Sequence, residues 1–545
     1  MSKQSLIKGA AVLGTAGIIV KLLGAVFRIP LGNWIGDTGM ANYGPAYYIY
    51  SFFLILATAG LPIAISKMVS ESRAVGCYAQ AHKVFKLSAS LMLGIGILSF
   101  IILFTFAPQI ANLIGNQEAA LAMRAISPSL ILVPIMAAYR GYFQGMQNMK
   151  PTAVSQVVEQ FFRVVIGLAA AYILFNMGTG SFIADSFDRY ERGAAGASFG
   201  ATAGSIGGLL MILLIYALSR KSIKRKIATC TNDEVSSSKS ILKKVLVIAV
   251  PITIGAAIMP IINLVDAGLV MNRLQNAAGF DYEMSKSLYG QLTGFVGSLI
   301  NFPQVLTQAV AMSLVPVIAI AYKTRNEEQL HNNVALGLRM AVIIGFPCAF
   351  GLMSLAEPIL LLLYPAQRES AMGAAPVLAI MAFGVLFLST VQTLTGVLQG
   401  VSKQIIPVIN LSIGVVCKII LTYTLTGIPS INIKGAAIGT VAAYMVAATL
   451  NIIAVKKYTG THIDIGKTFI RPLISSAAMA VIVIGVYKVT FMAIASNSIC
   501  TLISVAVGGL SYGVLIFVTK TISVDELAFV PKGDKLAKLV SKFVK

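Results

Sequence analysis

Uninterrupted apolar runs, each roughly 20 to 25 residues long, recur along the whole chain of 545 residues. A run of this length crosses the ~30 Å hydrocarbon layer of a bilayer as one helix, because an α-helix rises 1.5 Å per residue. Only 11% of the residues are charged, whereas a soluble globular chain is about a quarter charged. These features exclude a soluble globular protein and predict an all-α polytopic membrane protein.

Polar breaks divide the runs into fourteen predicted transmembrane helices. Loops rich and poor in Lys and Arg alternate, with 28 cations on one side of the predicted membrane and eight on the other. Cytoplasmic loops carry the excess of Lys and Arg in membrane proteins, so this alternation predicts that both termini are cytoplasmic. The first run contains Arg28 and lacks a cleavage site followed by a soluble domain, so we expect a retained helix rather than a secretory signal.

The sequence also contains an internal repeat. Phe143-Gln144-Gly145 corresponds to Leu398-Gln399-Gly400, each followed by a basic turn and a proline, and the same register places Arg163 opposite Lys418. The simplest architecture is two six-helix lobes plus two C-terminal helices. The predicted divisions are an N-lobe at 1–218, a basic cytoplasmic linker at 219–244, a C-lobe at 245–456, two further helices at 457–520 and a basic cytoplasmic tail at 521–545. The cations of the linker either serve only as a topology signal or bind anionic lipid headgroups.

Charged residues inside the predicted helices carry the main functional information. A charge in mid-bilayer costs on the order of 3 kcal/mol, so such residues usually face a partner or an aqueous cavity. The interior is formally +4, which favours an anionic phosphate or carboxylate substrate over cationic drugs. Six cations and two acids lie there: Lys21, Arg28, Arg140, Arg163, Arg339 and Lys418, with Glu159 and Asp266.

The spacing of these charges ranks them as candidates. Lys21 and Arg28 are two helical turns apart on one face, with no acid at a pairing distance on that helix, and are the best substrate ligands. Glu159 and Arg163 are four residues apart, which fits an ion pair as well as a transport role. Asp266 could pair with Arg28 or carry a coupling cation. For Arg140 and Arg339 we expect that the side chain snorkels to the inner surface.

Enzymatic and metal-dependent functions lack the motifs they require. The stretch Gly460–Thr468 has five residues between its glycines where a phosphate-binding loop needs four. The five cysteines and three histidines are scattered, so we expect neither disulfides nor a zinc site. We predict a non-enzymatic protein without a cofactor, in which the substrate, a gradient of Na⁺ or H⁺, or the membrane potential supplies energy. The cations lie mostly in loops between apolar runs, so nucleic acid is not an expected partner.

Two segments resemble a known family. The stretch from Arg140 to Arg163 and the stretch Gly60–Glu71 are similar to polysaccharide transport proteins of the stage V sporulation protein B type and to MurJ-type lipid II flippases. Both groups belong to the multidrug/oligosaccharidyl-lipid/polysaccharide exporter superfamily. The resemblance implies two lobes around a cation-lined cavity, a lipid-tail groove formed by the last two helices, and flipping of an undecaprenyl-pyrophosphate-linked sugar in the cell membrane of a Gram-positive bacterium.

The resemblance extends to particular site residues. Residues 21–28 resemble the basic motif of MurJ-type flippases, with Lys21 where those proteins have an arginine and Arg28 displaced by one residue. Ser298 and Asn301 stand where Gram-negative members have Arg and Glu, which leaves Arg163, Lys418 and Asp266 as possible substitutes.

The leading hypothesis is a flippase for an anionic lipid-linked cell-wall precursor, with Lys21, Arg28, Arg163 and Lys418 as substrate ligands. Membrane lipids are expected partners, and cell-wall synthesis enzymes are further candidates. The alternatives are a cation antiporter of the same fold and a non-transporting scaffold for cell-wall synthesis.

Overall fold

A computed structural model describes residues 3–178, 186–228, 236–462, 464–519 and 521, and these residues are almost entirely helical, without strands. The first nine helices are α1 Lys3–Thr58, α2 Leu61–Ala74, α3 Tyr78–Thr105, α4 Ala107–Leu113, α5 Ala119–Ile126, α6 Ser129–Gly145, α7 Lys150–Phe175, α8 Arg189–Ala228 and α9 Ser238–Asn276. The remaining helices are α10 Tyr282–Gly290, α11 Gly297–Lys323, α12 Glu327–Ser354, α13 Ala356–Leu363, α14 Arg368–Gly400, α15 Ile405–Thr426, α16 Lys434–Thr459, α17 Arg471–Ile494 and α18 Asn497–Val518. Short π-helical segments at Gln291–Val296 and Gly466–Ile470 precede α11 and α17.

The first helix is broken at Gly36, whose φ of 66° and ψ of −173° lie outside the helical region. A positive φ suits glycine because it has no Cβ to clash with the backbone. Arg28 and Tyr47 are 19 residues apart, which would separate them by about 28 Å in a straight helix. The Arg28 guanidinium carbon nevertheless lies 5.7 Å from the centre of the Tyr47 ring. The chain therefore doubles back at Gly36, and α1 consists of two arms that pack against each other.

Membrane-spanning length is common to most of the helices. In the described part of the chain, thirteen helical stretches are long and apolar enough to cross a bilayer. The first, Val12–Ala74, has 63 residues and includes the reversal at Gly36. This stretch is long enough to cross the bilayer twice. The predicted class, an all-α polytopic membrane protein, is confirmed. The count of fourteen and the cytoplasmic position of both termini remain predictions.

The helices form two compact units, divided between Phe295 and Val296, with Gly427–Pro429 grouped with the first unit. The two units are defined by the packing of residues within each of them. The boundaries expected from the sequence for the two six-helix lobes remain a prediction. The predicted linker is partly helical: α8 extends to Ala228 and α9 already begins at Ser238. Its middle, 229–235, and nearly all of the predicted tail lie outside the described residues.

The repeated helix pairs pack in a similar way in each unit. In the first unit, a Cβ on Gly204 of α8 would lie 2.9 Å from the Arg163 Cβ on α7. In the second unit, a Cβ on Gly439 of α16 would lie 2.6 Å from the Thr422 hydroxyl and 3.3 Å from the Lys418 carbonyl oxygen on α15. Each basic residue of the repeat therefore sits where a glycine allows the next helix to approach closely.

Candidate functional site

A charged cluster joins α6 and α7 in the first unit. The Arg140 Nη2 donates to Glu159 Oε2 at 3.0 Å, and the Arg163 Nη2 donates to Glu159 Oε1 at 3.3 Å. The Arg140 Nε also donates to the Ser155 hydroxyl at 2.9 Å. One carboxylate thus binds two guanidinium groups, and the cluster retains a net charge of +1. The expectation that Arg140 snorkels to the surface is wrong, because Glu159 of the neighbouring helix binds it.

The close packing of α8 fixes this cluster from one side. A Cβ on Gly208 would lie 2.9 Å from the Glu159 Cβ, so the two helices touch at backbone distance next to the carboxylate. The side chains of Arg140, Glu159 and Arg163 are 12, 15 and 17% exposed. Ion pairs with this little exposure are weakly screened by salt. The predicted same-face pair of Glu159 and Arg163 is present in the structure.

Tyrosines of the second arm of α1 connect Arg163 with Arg28. Tyr43, Tyr47 and Tyr50 lie close enough to interact electrostatically with Arg163. Tyr43 has both Arg28 and Arg163 among its electrostatic neighbours, and the Arg28 guanidinium also lies over the Tyr47 ring. The structure therefore brings Arg28 and Arg163, which are 135 residues apart, to the same group of tyrosines.

Asp266 on α9 adjoins this group. Its carboxylate and Arg28 are both electrostatic neighbours of Tyr48, and Tyr289 neighbours Asp266 as well. The arrangement allows both roles considered for Asp266, a charge partner for Arg28 or a ligand for a coupling cation.

Lys21 is exposed on a face of α1 lined by small residues. Gly14, Gly17 and Gly24 share this face with Lys21 and Arg28, since they follow one another at alternating spacings of three and four residues. A Cβ on Gly14 or Gly17 would meet no atom within 4 Å, and one on Gly24 would only touch the Gln160 amide at 3.8 Å. The open part of this face therefore lies on the N-terminal side of Lys21, whereas towards Arg28 the face adjoins Gln160 of α7.

Lys418 differs from the other candidates in its burial. Its residue is 0% exposed, on α15 in the second unit. In this conformation its side chain does not reach an open surface. Its predicted role in substrate binding remains a prediction.

A second polar network, which sequence reasoning missed, joins α1, α5 and α10 in the first unit. Lys286, predicted to be a loop cation, is only 2% exposed. Its Nζ lies 2.9 Å from the nearer Glu118 carboxylate oxygen and 3.0 Å from Glu283 Oε1. The Asn42 amide donates to Glu118 Oε2 at 3.1 Å. The three-residue spacing of Glu283 and Lys286 is typical of an ion pair on one helix face and is visible in the sequence. No local pattern links either residue to Glu118.

A separate hydrogen-bond group beside this network is centred on Asp37, the first residue after the reversal of α1. Its carboxylate accepts hydrogen bonds from the Ser287 hydroxyl and, at 2.7 Å, from the Thr38 N–H. Among the described residues, no group of three or more His, Cys, Asp or Glu side chains is placed to hold a metal ion.

The long apolar helices, with cations among them, are typical of a membrane transport protein. The chain belongs to the polysaccharide biosynthesis protein family, whose model matches residues 6–321. A second family model, MatE, matches residues 293–424. The predicted membership of the exporter superfamily is confirmed.

Relatives in Bacillus subtilis (strain 168) match nearly the whole chain. The lipid II flippase MurJ is 30% identical over 93% of this chain and 94% of its own length. Stage V sporulation protein B is 27% identical over 97% of this chain and 98% of its own length. An uncharacterized membrane protein, YabM, is 30% identical over 98% of this chain and 96% of its own length. These relatives fit a multi-pass protein in the cell membrane of a Gram-positive bacterium, as predicted.

Solved structures show the same fold. A lipid II flippase MurJ in an inward closed conformation aligns with a TM-score of 0.64 and 15% identity, over 93% of this chain and 98% of that one. An inward-facing multidrug resistance MATE family transporter also aligns with a TM-score of 0.64, at 16% identity, over 81% of this chain and 94% of that one.

Proposed function

We propose that this protein is a flippase that moves an undecaprenyl-pyrophosphate-linked cell-wall precursor, lipid II or a related lipid-linked oligosaccharide, outward across the cytoplasmic membrane by alternating access. The observation that carries the proposal is the group of cations in the first unit. Arg28 and Arg163 share tyrosine neighbours, and the exposed Lys21 lies two helical turns from Arg28 on the same face of α1. The similarity to a lipid II flippase over most of the chain supports the same substrate class.

Pyrophosphate recognition fits the chemistry of these residues. Guanidinium groups donate in a planar fork that matches phosphate oxygens, and such charge-assisted hydrogen bonds are about twice as strong as neutral ones. The Arg163 guanidinium already donates a hydrogen bond to Glu159, so a bound phosphate would compete with that carboxylate. The tyrosine hydroxyls near Arg163 are further donors for phosphate or sugar oxygens. Lys21 and Lys418 are the further predicted ligands, of which Lys418 lies in the second unit.

The membrane potential favours the proposed direction. With the inside negative, outward movement of one negative charge is downhill by ~2.3 kcal/mol per 100 mV. An anionic lipid-linked precursor could therefore be exported without ATP hydrolysis by this chain. Coupling to Na⁺ or H⁺ at Asp266 would add to this driving force.

Antiport of cationic drugs is the second candidate, because the MatE model matches residues 293–424 and a MATE family transporter has the same fold. Cation recognition in the membrane requires exposed acids, whereas Glu159 binds two arginines. The charge of the site thus favours the anionic substrate. Scaffolding of cell-wall synthesis would require no such group of cations.

The decisive experiment measures transport in vesicles with the purified full-length protein. Lys21→Ala and Arg28→Ala should each abolish lipid II flipping while the protein still inserts and stays monodisperse. Lys488→Ala is the matched control, because Lys488 is an exposed cation at the far end of α17 in the second unit. Normal flipping by both single variants at equal protein levels would exclude these residues as ligands. Transport of a cationic dye but not of lipid II by the wild type would favour the antiporter.

A further inference from the structure

Two helix ends carry exposed cations beyond the apolar part of the first unit. The apolar run of α8 ends at Leu218, yet the helix continues to Ala228, and α9 begins at Ser238, ahead of its apolar run. The exposed cations of these segments include Arg220, Lys221, Lys224 and Arg225 on α8, and Lys243 and Lys244 on α9.

Packing holds these segments in place. Ile223 of α8 and Ile241 of α9 are buried in one apolar cluster with Val84 and Phe85 of α3. Near the start of α9, the Lys83 ammonium donates to the Ser236 carbonyl oxygen at 2.9 Å, and the Ser236 N–H donates to the Gln80 side-chain oxygen at 3.0 Å. The predicted flexible linker is thus docked on α3 at both of its helical ends.

On α8, the cations and the buried side chain lie on different faces of the helix. At 100° per residue, the four cations from Arg220 to Arg225 fall within an arc of about 140°, and the buried Ile223 lies outside it. On α9, Lys243 lies nearly opposite the buried Ile241. The cations therefore form a fixed, outward-facing array.

The depth of the array matches lipid headgroups. Arg225 is seven residues beyond Leu218, which places it about 10 Å past the end of the apolar run. Lys243 and Lys244 directly precede the apolar run that begins at Val245. The headgroup layer is roughly 5 to 8 Å thick on each side of the hydrocarbon core, so most of these cations lie within it or at its edge.

We propose that this array binds the headgroups of anionic phospholipids in the leaflet that it faces. The occupant is a lipid rather than a soluble protein or nucleic acid, because most of these cations lie at headgroup depth. The positive-inside rule explains why the segment is basic, but it requires neither helical ends nor their docking on α3. The inference goes beyond the flippase function and does not depend on it.

The test compares lipid preference in the purified full-length protein. Wild-type protein is placed in vesicles of phosphatidylglycerol and phosphatidylcholine, and the mass of the extracted protein is then measured together with its bound lipids. The bound lipid should be preferentially phosphatidylglycerol. Replacing Arg220, Lys221, Lys224 and Arg225 together by Gln should reduce that preference by at least about tenfold. Replacing Lys221 and Lys224 by Arg preserves charge and should leave the preference intact.

The matched control removes the same number of exposed cations from the second unit, by replacing Lys323, Arg325, Lys456 and Lys457 with Gln. This control should keep most of the preference. An equal loss in both quadruple variants would show diffuse attraction to basic loops and overturn a specific site. Absence of any preference in the wild type would also overturn it, and would leave a soluble partner as the occupant to test. Size-exclusion profiles of all variants report folding separately.

Discussion

Glu159 is the residue on which the charge balance of the first unit depends, because it is the partner of both Arg140 and Arg163. Glu159→Gln would leave two little-exposed cations without their carboxylate, and removal of one partner from such a pair costs about 3 kcal/mol. We expect a clear loss of thermal stability in detergent, larger than the loss caused by Arg163→Gln, which leaves the pair of Arg140 with Glu159 intact.

The double variant Glu159→Gln/Arg163→Gln separates structure from transport. If Arg163 binds substrate, the double variant should regain some stability but flip lipid II as poorly as Arg163→Gln alone. Rescue of flipping at matched protein levels would show that Arg163 is structural and would remove it from the site.

At Lys418, positive charge should matter more than shape. We expect Lys418→Arg to retain far more flipping activity than Lys418→Gln, because only the first variant keeps a cation at this position. Unfolding midpoints of both variants are needed beside the transport rates, since Lys418 is fully buried. Equal activity of the two variants would argue that Lys418 only packs between α15 and α16.

Helix contacts across the first unit are predicted to depend on Lys286, which holds α10 against α5. Its two acidic partners provide a matched comparison, because the Glu118 side chain is 20% exposed and that of Glu283 is 68% exposed. Glu118→Gln should lower the free energy of unfolding by about 2 kcal/mol, and Glu283→Gln by less than ~1 kcal/mol. Thermal unfolding of the purified variants measures both. Similar losses would mean that the buried network contributes no more than a surface ion pair.

The close crossing of α10 and α1 next to this network leads to a separate prediction. A Cβ on Gly290 would lie 1.9 Å from the Asp37 carbonyl oxygen, so Gly290→Ala must push α10 away from α1. We expect a loss of about 1–3 kcal/mol, as for other overpacked contacts. Gly485→Ala is the control, because a Cβ there meets no atom within 4 Å and alanine has the better helix propensity. A stable Gly290→Ala protein with unchanged transport would contradict this crossing.

The predicted topology belongs to the scale of the whole molecule. With fourteen crossings and both termini cytoplasmic, cysteines introduced at Gly279 and Lys434 should react with an impermeant maleimide in intact cells. Cysteines at Arg325 and Lys403 should react only after permeabilisation. The labelling is measured in a variant without the five native cysteines. Labelling of Gly279 and Arg325 from the same side would overturn the alternation on which the count rests.

Part of the charged site could be predicted from the sequence, and part could not. Glu159 and Arg163 lie one helical turn apart, so helix geometry alone predicts their pairing. Arg140 and Glu159 lie on consecutive helices, and no periodicity specifies which side chains face each other across a turn. The local pattern at Arg140 suggested snorkelling because only its distance from the apolar boundary was visible.

The sequence by itself determined that this chain is a helical membrane protein, because the bilayer demands apolar runs of fixed length and internally satisfied backbones. It also predicts an excess of cations over acids within the apolar runs, because both the runs and the charges can be located in the sequence. Tertiary structure decided which charged side chains meet and which segments are held in place. Glu159 binds two arginines, Glu118 reaches Lys286 from 168 residues away, and α3 fixes the basic helix ends. Such contacts depend on the packing of helices distant in sequence, for which local spacing carries no signal.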